Sequence, residues 1–251
     1  MKFFSSSPNS LFVVQLITFV LVAVGLFIVD YSWYYVMLSV LMFYCYTVLG
    51  IGLMLHRFYT HKSFELSPAI KWVLTTFAVL AGRGSPLGWV YIHRLHHATS
   101  DTEKDPHSPH FSTFKFIRFK PVVDSTKKIN YFIIKDIMSP AQIKIDNYYL
   151  LFVLGFPIGL SLLSYNLVFY IWALPVFTVG VTQLLFNYVS HMYGYRNIDT
   201  KDRSTNNVLL WPFIMGEAWH NNHHGNPSSP TTNIRWWEID PAGFIIRMIR
   251  K

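Results

Sequence analysis

Four long apolar stretches divide this 251-residue chain, at about 11–29, 34–55, 148–164 and 167–190. Each is near the ~20 residues that carry an α-helix across ~30 Å of hydrocarbon. The breaks inside each pair, around Asp30 to Ser32 and Tyr165 to Asn166, are short, so the stretches read as two helical hairpins. The third contains Gly155, Pro157 and Gly159 and is expected to span with a kink, which is tolerated where neighbouring helices re-satisfy the backbone. The first is expected to be retained, because only Lys2 precedes it and no small-x-small cleavage pattern lies before Asp30. A shorter stretch, KWVLTTFAVLAG, is too short to span and reads as an interfacial or re-entrant helix. Gly82, Gly84, Pro86 and Gly88 interrupt it before a new helix opens near Trp89. With no solenoid-period repeat and no low-complexity linker, residues 1–251 are expected to form a single domain. The predicted fold is an all-α integral membrane protein. Four transmembrane helices, as two hairpins, carry a helical cap built from 56–147 and 191–251.

Composition agrees with lipid as the solvent: 52% of residues are hydrophobic and only 14% charged, about half the charged share of a soluble domain. The formal charge of +8 changes the picture through its placement. Lys and Arg are absent from 3–56 and from 145–195, so both hairpin turns lack them. If the hairpins enter from one side, every basic residue stays on that side, which the positive-inside rule assigns to the cytoplasm together with both termini. The charge is then topology and headgroup attraction rather than a nucleic-acid footprint. A single Cys45 excludes disulfide frameworks, cysteine-based zinc sites and iron–sulfur clusters.

All eleven histidines lie in the two cap segments, and eight fall in three boxes: HRFYTH (His56, His61), HRLHH (His93, His96, His97) and HNNHH (His220, His223, His224). On an α-helix, residues four apart diverge by about 40° and three apart by about 60°, so HxxHH projects three imidazoles from one face. Adjacent rings diverge by about 100°, so His96 and His97, like His223 and His224, suit two neighbouring metals better than one. Asn187 and His191, four apart at the end of the last span, share a face. Helix rise from Tyr34 and from Leu167 brings His56 and His191 to similar heights at the membrane surface. The other two boxes can fold back onto that surface, so nine histidines can converge there. A structural zinc closes with four ligands, so nine imply at least two metals. Imidazole suits zinc, copper, iron or nickel, and the sequence leaves that choice open. His107 and His110 read as ordinary histidines with satisfied hydrogen bonds.

These boxes resemble those of the membrane-bound fatty acid desaturases, in particular the acyl-CoA and stearoyl-CoA type. The resemblance runs from HRFYTH through GWVYIHRLHH, DTEKDPH, NYVSHMYGYRNIDTKDRSTNN and GEAWHNNHH to RWWEID, over 56–240. It implies two iron ions held by His56, His61, His93, His96, His97, His191, His220, His223 and His224, with Asn187 reaching a metal through water. It also implies an O2-dependent oxidoreductase that inserts a cis double bond, usually between carbons 9 and 10, into a saturated acyl chain. The substrate would be an acyl-CoA or acyl-lipid. Abstraction of hydrogen from an alkyl chain is beyond side-chain acids and bases, and zinc has no redox step to offer. No fused electron carrier is visible, so a separate donor protein, ferredoxin-like or of cytochrome b type, is expected. The compact chain leans toward a bacterial inner membrane rather than the endoplasmic reticulum.

Around the boxes, Glu217, Asp101 and Asp105 are candidates to hydrogen-bond the far nitrogen of a ring, as carboxylates do beside metal-bound histidines. A first-turn helix carboxylate is the plain alternative for Glu217. Arg57 and Arg94 pair with such carboxylates or face solvent. Trp89 and Trp219 are candidates to wall an acyl channel, against simple interfacial anchoring, which suits Trp236 and Trp237. Arg118 and Lys120 in FIRFKP resemble a pair that meets an acidic substrate head group, against plain attraction to lipid headgroups, and the family's Gly-Phe-x-x-Ser-His-x-Gly-Trp segment is missing after DPH. Two other readings stand beside the desaturase: a related di-iron hydroxylase, and a metal-binding membrane transporter, which would place its ligands near mid-bilayer instead.

Overall fold

The computed structural model describes residues 8–110 and 131–251. The described residues are helical, with only isolated bridges among Tyr195, Asn206 and Trp219 in place of a sheet. Three helices are long and apolar enough to cross a bilayer: α1 (Pro8–Ile28), α2 (Trp33–Thr60) and α7 (Tyr165–Val189). Between them run α3 (Pro68–Leu80), α4 (Pro86–Thr99), α5 (Pro140–Asn147) and α6 (Tyr149–Ser161). After α7 come the short α8 (Val208–Ala218), α9 (His220–Gly225) and α10 (Pro241–Ile249). Ser67, Ser85 and Ser139 each cap a helix whose first residue is proline, a pairing that satisfies one orphan N–H and removes another.

The third span differs from expectation. Its helix α6 has 13 residues, about 20 Å of rise, and the bend falls before it, where α5 and α6 meet at 67°, rather than at Pro157. Asp146 anchors that junction by accepting a hydrogen bond from Ser85, and the Tyr149 hydroxyl accepts the Gly84 N–H at 2.9 Å. Among the described residues the candidate crossings therefore number three, or four when the bent pair is taken as one.

Both hairpin turns meet at one end of the bundle. Asn166 donates to Asp30 Oδ2 at 2.6 Å and accepts the Asp30 N–H at 3.1 Å, while the Tyr170 hydroxyl donates to the Asp30 carbonyl. The hairpins thus enter from the same side, and the histidine-bearing ends of α2 and α7 lie at the other end of the bundle. Tyr31, Trp33 and Tyr34 are exposed beside it, as an aromatic belt requires, and Phe27, Met37, Leu41, Ile158 and Leu162 expose apolar surface suited to lipid.

α2 begins as an ordinary α-helix and continues from Cys45 to Thr60 as a π-helix, a form usually confined to single turns and frequent at functional sites. α3 lies against it and ends where the Trp172 indole donates to the Leu80 carbonyl at 3.2 Å, and the chain reverses through Gly82 (φ 72°) and Gly84 (φ 106°) into α4. KWVLTTFAVLAG thus forms most of a 13-residue apolar helix, shorter than a span, that a glycine turn joins to α4. Close approach of α3 to α2 depends on Gly50, where a Cβ would sit 2.7 Å from the Phe77 carbonyl oxygen. Gly50→Ala must therefore push two backbones apart, and a loss of about 1–3 kcal/mol is expected, read as a lowered melting temperature of the purified protein in detergent. An unchanged melting temperature would contradict this packing.

Candidate metal centre

Each histidine box reaches the centre by a different local device. On α2, His56 and His61 are five apart and would point to different sides of an α-helix. In the π-helical segment the His61 N–H bonds to the His56 carbonyl, and the two rings meet edge to face with centroids 5.0 Å apart. On α4, residues four apart share a face, so His93 and His97 bring their Nε2 atoms to 3.1 Å, while His96 turns to the neighbouring group. On α9 the same phase parts His223 from His224. His191 follows the end of α7, where the helix closes at Ser190.

The nine rings fall into two groups. His56, His61, His93, His97 and His223 form one, and His96, His191, His220 and His224 the other, with donor atoms inside each group within 4.8 Å of one another. Each HxxHH box contributes to both. In the first group His223 Nε2 lies 2.9 Å from His56 Nε2 and 3.0 Å from His97 Nε2, and in the second His191 and His220 Nε2 are 3.0 Å apart.

Carboxylates define which nitrogens point inward. His96 Nδ1 donates to Asp105 at 3.0 Å, His191 Nδ1 to Asp101 at 2.9 Å, and His224 Nδ1 to Asp202 at 2.6 Å. Glu217 meets His56 Nδ1 in the same manner. An ionised carboxylate only accepts, so these rings carry their proton on Nδ1 and turn a bare Nε2 to the interior. His61 Nε2 and His224 Nε2 are buried with no hydrogen-bond partner among the described residues. Burial first, and then the neighbouring rings, push His93, His97, His220 and His223 well below the ordinary imidazole value. His61 is held down to about 2 by burial and by His56. Burial alone would raise the four carboxylates, but their hydrogen-bonded and charged neighbours hold all of them below the usual range, Glu217 at about 2. Neutral imidazoles, facing lone pairs and ionised carboxylates behind them form a donor set that fits two cations.

A wider frame holds the carboxylates. Arg57 is 1% exposed and bridges Glu217 at 2.8 Å to Asp240 at 2.7 and 3.0 Å, so it is an internal cation and not a solvent-facing one. Arg94 instead pairs with Asp136 and with the carbonyls of Thr60 and Ile133, tying α4 to the end of α2. Asp101 takes a left-handed backbone (φ 57°), which aspartate tolerates, and also accepts the Arg203 N–H at 2.7 Å. The two asparagines of HNNHH are clamps: Asn221 accepts the N–H groups of Asn197 and Ile198, and Asn222 joins Asn197, Asn206 and Glu238.

Of the remaining predicted residues, Trp89 stacks on His93 at 4.6 Å. Trp219 is buried in a separate apolar cluster with Phe186, Ile214 and Ala218, packed on Trp237, its indole donating to Ile239. Trp236 is 94% exposed, whereas Trp237 is half-buried. Asn187 is half-buried one turn before His191. Arg118 and Lys120 lie outside the described residues. His110 is an ordinary satisfied histidine, bonded to the His191 carbonyl and to Arg203. His107 is not: its ring stacks on His96 at 4.3 Å, and with Asp105 it forms a third group of possible donors. Asp202 escaped the sequence reading because it sits in a loop with no periodic relation to His224; the DTKDRS stretch inside the motif was its only signal.

Comparison with known proteins agrees with this geometry. The family model described as fatty acid desaturase matches residues 31–243. The chain is 37% identical over 216 residues to Delta-9 desaturase-like 5 protein of Arabidopsis thaliana, covering 82% of this chain and 70% of that one. It is 32% identical to the sn-1 stearoyl-lipid 9-desaturase of Anabaena variabilis, covering 88% and 82%. It is also 32% identical to the Acyl-CoA 5-desaturase AL21 of Anemone leveillei, covering 87% and 70%. With a multi-pass helical bundle, two buried histidine groups and a family match over most of its length, this chain belongs to the fatty acid desaturase family of membrane oxidoreductases.

Proposed function

We propose that the protein introduces a cis double bond at carbon 9 of a saturated acyl chain, using O2, two irons and electrons from a separate donor protein. The observation that carries this reading is the split of each HxxHH box between two adjacent all-imidazole groups, which suits a pair of metals better than one. Position 9 is favoured because two of the three relatives named above carry it in their names, while the third is named for position 5. The same names supply both acyl-lipid and acyl-CoA as substrate classes. Placement of the cap on the cytoplasmic face rests on the basic residues, which avoid both hairpin turns.

In this reading His56, His61, His93, His97 and His223 hold one metal, and His96, His191, His220 and His224 the other, with Asn187 completing the second through water. Bound iron supplies the redox capacity to activate O2 and take hydrogen from an alkyl carbon, which no side-chain acid or base provides. The protein's own part is positional. Glu217, Asp105, Asp101 and Asp202 keep the Nδ1 protons of His56, His96, His191 and His224, so that Nε2 stays free for metal. Trp89, stacked on His93, walls one side of the first group.

Expression in a host lacking its own desaturase, followed by fatty-acid profiling, is expected to yield new monounsaturated chains with the bond at carbon 9. Hydroxylated chains would move the assignment to a hydroxylase, and a bond at carbon 5 would overturn the position. His97→Ala and His223→Ala are each expected to abolish product while membrane insertion is retained, and wild-type turnover from either would refute the ligand set. Asp202→Asn keeps shape but can present the wrong hydrogen-bonding group to His224, and about a 10–100-fold loss in metal affinity or activity is expected. Metal retention and turnover equal to wild type would contradict its role.

A further inference from the structure

We propose that the first turns of α8, Val208 to Phe213, are inserted in the hydrocarbon of the bilayer, so that lipid acyl chains are the partner of this face of the cap. The sequence assigns all of 191–251 to the cap, at the membrane surface. The structure fastens this segment to a spanning helix instead: the Tyr44 hydroxyl donates to the Pro212 carbonyl at 2.6 Å. Tyr44 lies eleven residues beyond Trp33, at about 16 Å of helix rise from the aromatic belt, or roughly half of ~30 Å of hydrocarbon. Allowing for the reach of a tyrosine, Pro212 lies well inside the apolar slab.

The surface there suits that depth. Val208, Leu209 and Phe213 are 52%, 82% and 52% exposed, and the segment packs against α7, whose Leu185 is also exposed. The patch is thereby continuous with the lipid-facing surface of the spans. From Ser204 to Gly216 no residue is charged. Polar groups are also covered, as hydrocarbon demands. The Leu209 N–H is taken by the Asn207 side chain and the Leu210 N–H by the Asn207 carbonyl. Trp211 donates to Ile239, Pro212 has no N–H, and its carbonyl is held by Tyr44. An apolar face of this kind in water would be an aggregation hazard. The inserted turn runs directly through Met215 into Glu217 and His220, so the bilayer holds one wall of the metal centre at a fixed height.

The test uses the full chain and no turnover, so it stands or falls apart from the desaturase assignment. With the single native cysteine replaced (Cys45→Ser), Leu209→Cys is labelled with bimane and reconstituted into phosphatidylcholine vesicles. Blue-shifted emission, quenching by lipids carrying doxyl at carbon 12, and resistance to aqueous iodide are expected. Asp199→Cys, at a fully exposed cap position, should show the reverse and calibrates the assay. Iodide quenching of the Leu209 label without doxyl quenching would overturn the proposal. If that variant fails to fold, Phe213→Cys or Val208→Cys reads the same face.

Discussion

Lone pairs that face each other in a buried space are the constraint on which this structure rests. Nine imidazoles lie with donor atoms close together, and the Nδ1 protons of several are committed to carboxylates behind them. Gaining protons does not relieve the crowding, because burial and neighbouring rings oppose positive charge on them. A cation in each group does relieve it. The carboxylates, Arg57 and the asparagine clamps are then the supports of an arrangement that would otherwise open.

The fold meets this constraint by bringing short segments from far apart in the chain to one end of a bundle. Two hairpins clasped at Asp30 and Asn166 deliver the ends of α2 and α7 together at the opposite end. The short apolar α3 returns the chain so that α4 lies beside α2, held there by Arg94 on the Thr60 carbonyl. The π-helical segment resolves a local conflict, since five-residue spacing suits an i→i+5 ladder and not an α-helix.

Much of this was legible in the sequence because periodicity survives tertiary packing. Apolar runs marked the spans, and the 100° step between neighbours foretold that His96 and His97 would part company. Other features carried no periodic signal. In HRFYTH only the five-residue spacing of the histidines hints at a π-helix, and the bend near Asn147 depends on Asp146 reaching Ser85 across the fold. Asp202 and His107 act through loops, where spacing says nothing about direction. For Arg57 the sequence leaves pairing with a carboxylate or facing solvent open, and Glu217 and Asp240, supplied from 160 and 183 residues away, decide for the first.

Metal counting on the purified full chain, for wild type and for variants that strip one group at a time, tests the central claim most directly. Two metals per chain are expected in the wild type, falling to one in His61→Ala, from the first group, and to one in His220→Ala, from the second. A single metal in the wild type, or loss of all metal from either variant with the fold intact, would contradict two separate all-imidazole sites.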